Sequence, residues 1–281
     1  MNRELLQVYQ AQPSRDGDGV KINRIGGAQM NRVLDPFLMI DEINSDSAAD
    51  YMGGFPEHPH RGFETITYMK AGRMHHRDHM GNEGVIGPGD VQWMTAGRGV
   101  LHSEMPEQEK GLMHGFQLWL NLPAVDKLKP AAYCDIRSGE IPCHRDKTGS
   151  EVRVIAGEIG TEGKSLSGCL PAMVTRPLLL DVSVAPEEEI ILDVGDYEQV
   201  LVFVYAGAST ELKLKHLGVY GSGEKLALRA AEQGFEALVL SGTALREPIT
   251  QYGPFVMNHH EEIEQAISDF QQGKLLMSSP G

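Results

Sequence analysis

The sequence predicts an all-β protein made of two antiparallel halves, and three observations predict it. Short segments alternate apolar and polar residues with period two and stop at turn residues, as half-buried strands of a barrel or sandwich do. Glycine fills 32 of 281 positions, well above the usual share of about 7%, and 15 prolines accompany it, so the chain turns often. The turn glycines also repeat: Gly72 closes "YMKAG" and Gly89 follows 17 residues on, while Gly207 closes "FVYAG" and Gly223 follows after 16.

In chain order the first half supplies the strands "ETITYM", "DVQWM" and "FQLWLNLP". The second supplies "PLLLDVSV", "QVLVFVYAG", "TELKLKHL", "EKLALRA" and "EALVLSG". Between them, Pro123 to Ser150 is rich in Lys, Pro and charge without clean alternation, which places a boundary there. The expected domains are residues 1–135 and 136–281, each long enough for a small β-barrel. One helix is expected, near the C-terminus, with Asn258 as N-cap and Glu261 three residues on as its capping partner. Ile263, Ala266, Ile267 and Phe270 give that helix an apolar face, and His259 and His260 read as solvated cap residues.

Composition removes several function classes. The net charge is −14 and no block of five Lys or Arg occurs, so direct nucleic-acid binding is not expected. Cys134, Cys143 and Cys169 are odd in number and lack CxxC spacing, which argues against a disulfide framework or a thiolate zinc site and for a reducing compartment. No run approaches the roughly 20 apolar residues that span a bilayer, and the N-terminus lacks the apolar core of a signal peptide. A cytoplasmic monomer is the expectation.

Chemistry concentrates in "FPEHPHRGFETITYMKAG" and "MTAGRGVLHSEMP". Residues i and i+2 of a strand share a face, so His58 and His60 point one way, joined by Glu64 if the strand runs unbroken. His102 and Glu104 form a second such pair, and Gly97 with Gly99 would let the chain turn tightly before it. Two pairs on neighbouring strands would bring three imidazoles and one carboxylate together. That donor set suits a divalent iron, nickel, manganese, copper or zinc ion and suits calcium or magnesium poorly. His75, His76 and His79 in "GRMHHRDHMGNEG" read as a solvated hairpin, and Trp93 and Trp119 as packing residues. His114 and His216 have no partner at ligand spacing and read as structural.

These stretches, with "GPGDVQWMTAGRGVLHSEMP" and "GPFVMNHHEEIEQAISDFQQGKL", closely resemble the pirin family of the cupin superfamily over residues 15 to 275. The resemblance implies a bicupin: two face-to-face cupin-type antiparallel β-barrels, with a metal in the N-terminal one alone. It places the ligands on His58, His60, His102 and Glu104 and puts Glu64 outside the ligand set. The repeat agrees on the second half, where the counterparts of His58 and His102 are Asp193 and Glu236. The resemblance further implies one divalent transition metal per chain, iron(II) first, and O2-dependent ring cleavage of a quercetin-type flavonol. Glu104 would then be a catalytic base as well as a ligand, or a fixed fourth ligand only. The alternative it offers is an iron-dependent, redox-sensing binding protein that regulates a protein partner, as transcriptional co-regulators do.

Overall fold

The computed structural model describes residues 1–170 and 173–276. Strands dominate it, as the alternating segments require, and they fall into two compact units. Their division differs from the expected one at both chain ends. One unit comprises Pro13–Ser138 with Leu245–Gly281, and the other Met1–Gln12 with Gly139–Ala244. The reason is non-local pairing. Leu5–Gln10 adds to the edge strand His216–Tyr220, with Leu5 opposite Tyr220 and Val8 opposite Gly218.

In the unit holding the histidines, seven strands form one sheet, in the order Ala132–Ile136, Val91–Thr95, Phe63–Ala71, Met113–Asn121, Phe37–Ser45, Val20–Gly26, Gln12–Asp16. Four more form a second sheet, in the order Phe55–His60, Val100–Pro106, Met74–Asp78, Glu83–Ile86. The sheets sandwich Val20, Ile43, Met69, Met74, Ile86 and Met113, all nearly free of solvent. The barrel expected here is therefore an open two-sheet sandwich, because among the described residues the edge strands of the two sheets do not pair.

The other unit is built on a ten-stranded sheet in which the 17-residue strand Lys225–Ser241 pairs at one end with Glu189–Asp193 and at the other with Leu178–Val184. It thus joins "EKLALRA" and "EALVLSG", read from the sequence as two strands, into one. Its core is aliphatic, with Leu180, Val182, Val202, Leu226 and Val239 among the fully buried side chains. Of "TELKLKHL" only the end is extended, since Ser209 and Leu212 close a turn before His216–Tyr220 begins.

The C-terminal segment completes the first unit. Phe255–Met257 forms a hairpin with Thr250–Tyr252 and bridges to Arg61. The helix runs His260–Gln271, one residue later than expected: His259 is the N-cap, and Glu262 accepts from the backbone N–H groups of His259 (2.8 Å) and Asn258 (3.0 Å). Ile263 and Ala266 are buried against Phe255, Met257 and Leu275 with Ile267 beside them, whereas Phe270 stays 42% exposed. His259 and His260 are exposed.

Candidate metal centre

The four-stranded sheet positions the candidate ligands. Phe55–His60 lies at its edge, which is why Pro56 and Pro59 are tolerated in a strand. It pairs with Val100–Pro106 so that His58 stands opposite His102, and the register shifts between His102 and Glu104. Gly97 turns the chain into that strand at φ 51°, where a Cβ would sit 2.1 Å from the Lys129 carbonyl oxygen. Gly62, at φ 92°, breaks the other strand: a Cβ there would lie 2.0 Å from the Val256 oxygen.

Three ring nitrogens converge. His58 Nε2 lies 2.9 Å from His60 Nε2 and 3.0 Å from His102 Nε2. The far sides of two rings settle which nitrogen carries the proton: His58 Nδ1–H donates to the Pro56 carbonyl (2.8 Å) and His60 Nδ1–H to that of Pro254 (3.4 Å). Their Nε2 lone pairs then face each other with no proton between them, an arrangement that calls for a shared cation. Burial lowers the pKa of His58 and lowers those of His60 and His102 further, with mutual repulsion among the rings adding to the last two. All three are neutral at pH 7 and ready to ligate.

Glu104 is buried beside them. Thr67 Oγ1 lies 2.8 Å from its Oε1, and Gln117 Nε2 approaches Oε2 at 3.5 Å. Burial pushes its carboxyl up to about 7 against the Thr67 hydrogen bond, which pulls down. Its ligand oxygen groups within 4.8 Å of His102 and His76, in a set overlapping the three histidines through His102. Both sets could hold a metal, and among the described residues no such set lies outside residues 58–104.

His76 departs from the sequence reading. It was expected in a solvated hairpin, and the hairpin of Met74–Asp78 with Glu83–Ile86 is there, with His75 bonded to Glu83 and His79 exposed. His76 itself is fully buried, opposite Glu104 across the sheet, with its ring 5.2 Å from that of His102. Parity could have found it: Met74, His76 and Asp78 share the inward face, while His75 and Arg77 share the outward one. Burial lowers its pKa to about 4, so the ring is neutral.

Glu64 takes no part. The strand break at Gly62 reverses the parity inherited from His58 and His60, so Glu64 faces Thr95 Oγ1 (2.7 Å) and Lys129 Nζ (3.0 Å). Thr67, of opposite parity on the same strand, faces Glu104 instead. His114 bonds to Glu42, and His216 to the Leu214 carbonyl. Trp93 is packed as expected, but Trp119 stands in a cavity wall, its ring 5.3 Å from that of His60.

That cavity holds about 1000 Å³ and reaches His58, His60 and Glu104. Ile22, Met39, Ile43, Phe55 and Ile249 make much of its wall apolar. A charged group marks one side, where Arg24 grips Asp41 with two hydrogen bonds of 2.6 and 2.7 Å. The space is ample for a three-ring aromatic molecule, which pockets of roughly 300–1,000 Å³ accommodate.

An antiparallel two-sheet unit with an HxH pair opposite an HxE pair, beside a cavity that His58, His60 and Glu104 line, defines a cupin with a site fit for a metal ion. Two family models match the chain, Pirin over residues 19–120 and the Pirin C-terminal cupin domain over residues 179–276. The chain belongs to the pirin family. A relative from Pseudomonas aeruginosa, provisionally named a quercetin 2,3-dioxygenase, is 45% identical over 280 residues, covering 97% of this chain and 98% of its own. Human pirin is 38% identical over 270 residues, covering 92% of this chain and 89% of its own. A crystal structure of quercetin 2,3-dioxygenase from Acinetobacter baumannii superposes with a TM-score of 0.88 at 35% identity, covering 99% of this chain and 100% of that one.

Proposed function

We propose that the chain binds one divalent transition metal through His58, His60, His102 and Glu104, iron(II) in the first place, and catalyses O2-dependent ring opening of a quercetin-type flavonol. The observation that supports it most is the convergence of the Nε2 atoms of His58, His60 and His102, the first two left unprotonated by their Nδ1–H bonds, beside a cavity of flavonol size that His58 and His60 line. The likeness to the Acinetobacter quercetin 2,3-dioxygenase supports the substrate class.

When bound, the metal would supply Lewis acidity that favours the deprotonated 3-hydroxyl of the flavonol. The chain's own residues do the rest. Glu104 accepts that hydroxyl proton, and Thr67 and Gln117 hold the carboxylate in place. Trp119 and Phe55 offer flat apolar surface to the aromatic rings and keep water from the reacting carbon.

The test is the loss of flavonol absorbance with iron(II)-loaded protein, in air and without oxygen, beside Glu104→Ala. Loss that needs oxygen, metal and Glu104 supports the reading, and no turnover by a fully loaded wild type removes it. A second reading draws on the net charge of −14: a site whose iron state sets affinity for a basic protein partner. Turnover-free protein that captures such a partner only when oxidised would favour it.

A further inference from the structure

His76 is the one buried histidine of the centre that the metal reading leaves without a task. Its ring is 0% exposed, and neither Nδ1 nor Nε2 has a hydrogen-bond partner. A neutral imidazole still carries one N–H, and a buried donor without an acceptor is costly, so the ring needs an acceptor close by.

The neighbours narrow the choice. Asp78 is already engaged, its Oδ1 by the backbone N–H groups of Met80 (2.9 Å) and Asn82 (3.0 Å) and its Oδ2 by Asn82 Nδ2 (2.7 Å). Tyr133, whose ring lies 5.0 Å from that of His76, accepts from Gln92 (2.8 Å). Glu104 is different. It sits directly across the strand pair from His76, its nearest ligand oxygen falls within 4.8 Å of a His76 nitrogen, and its Oε2 has only the long 3.5 Å approach of Gln117. Directly opposed side chains on one sheet face interact routinely.

We propose that His76 is a positioning residue of the metal centre: its ring N–H donates to the Glu104 carboxylate and turns the free oxygen toward His58, His60 and His102. The inference rests on the reading of those four residues as ligands. It also accounts for the two overlapping groups. Glu104 sits nearer His76 and His102 than the full histidine set, and a donor behind the carboxylate is what would aim it at the shared cation. His76 as a ligand in its own right would require a second cation beside the first, since His76 falls in a group separate from that of His58 and His60 and joined to it only through His102.

Cobalt(II) is the probe, because its visible spectrum reports ligand geometry independently of turnover. Wild type, His76→Leu, His76→Gln, Glu104→Ala and the His76→Leu/Glu104→Ala double variant are titrated against a chromophoric chelator. Wild type should take one equivalent. His76→Leu should keep that stoichiometry, bind about 10- to 100-fold more weakly and show a shifted spectrum. His76→Gln, which keeps a donor, should recover most of the affinity, and the double variant should bind no worse than Glu104→Ala alone.

His76→Leu with wild-type affinity and spectrum, beside a weakened Glu104→Ala, would overturn the positioning role and leave the ligand reading standing. Two equivalents in wild type and one in His76→Leu would replace it with a second cation site. No cobalt uptake by wild type would overturn the ligand reading and this inference together. Should His76→Leu fail to fold, proton NMR of 15N-histidine, zinc-loaded wild type decides instead. A downfield His76 ring N–H, assigned by its loss in His76→Gln and shifted in Glu104→Gln, is expected, and its absence overturns the proposal.

Discussion

His58 and His102 meet across two antiparallel strands with their Nε2 atoms 3.0 Å apart, although 43 residues separate them between their positions in the chain. Strand register brings them together, and the Pro56 carbonyl fixes the His58 tautomer so that its Nε2 lone pair faces the His102 ring. His58→Ala removes the nitrogen that both other rings approach. Iron affinity is expected to drop by more than about tenfold, the least that losing even a supporting partner costs at such sites. The fold should persist because His58 is only half-buried, which metal analysis and far-UV circular dichroism on one sample would check.

Glu104 makes the centre pH-dependent in two ways. With Glu104 as the proposed ligand, metal uptake displaces its proton, so below about pH 7 affinity should weaken by up to about tenfold per pH unit. In the metal-free protein its raised pKa means that the folded chain holds more protons than the unfolded one between about 4.5 and 7. The stabilisation is full below 4.5 and is lost as pH rises through 7, by up to about 3 kcal/mol. Urea melts of metal-free protein from pH 4.5 to 8 should show that decline, and Glu104→Gln should flatten it. Equal slopes for the two proteins would place the titration elsewhere.

Much of this centre could be read before folding, because period-two parity is local information. His58 with His60 and His102 with Glu104 needed only the rule that i and i+2 share a face. That rule failed for Glu64, because Gly62 breaks the strand between it and His60. For His75, His76 and His79 the mixed parity and the neighbouring Arg, Asp and Gly read as solvent, although His76 shares its face with the buried Met74. The exchange of chain ends was out of reach. Leu5–Gln10 finds its partner more than 200 residues away, and an edge strand with an intermediate and exposed pattern carries no signal of which sheet it joins. The helix start moved by one residue because Glu262 rather than Glu261 reaches back to the cap.

Gly62 is expected to be irreplaceable. At φ 92° any side chain is strained by about 1–2 kcal/mol, and a Cβ would press within 2.0 Å of the Val256 carbonyl oxygen, which belongs to backbone. Gly62→Ala should therefore cost at least about 2 kcal/mol in chemical denaturation and loosen the corner between His60 and Phe63. Weakened metal binding should accompany it, since His60 leans on the Pro254 carbonyl of the neighbouring segment. A variant as stable as wild type would mean that the corner relaxes freely.

Lys127 holds the same corner from inside. Its ammonium, on a residue 1% exposed, donates to the Gly62 carbonyl (2.8 Å), Asn121 Oδ1 (2.7 Å) and the Val256 carbonyl (3.0 Å), tying the strand break to the Phe255–Met257 hairpin. Lys127→Met keeps the length and apolar stem but leaves three buried acceptors short of a donor. A loss of about 2–4 kcal/mol is expected at pH 7. Burial also lowers the lysine's pKa to about 8, so between about 8 and 10.5 the unfolded chain holds the extra proton. This contribution makes wild-type stability rise with pH across that window, and the methionine variant should lack the rise. Parallel urea melts at pH 7.5, 9 and 10 measure the difference, and a gap that stays constant would show that the ammonium keeps its proton throughout.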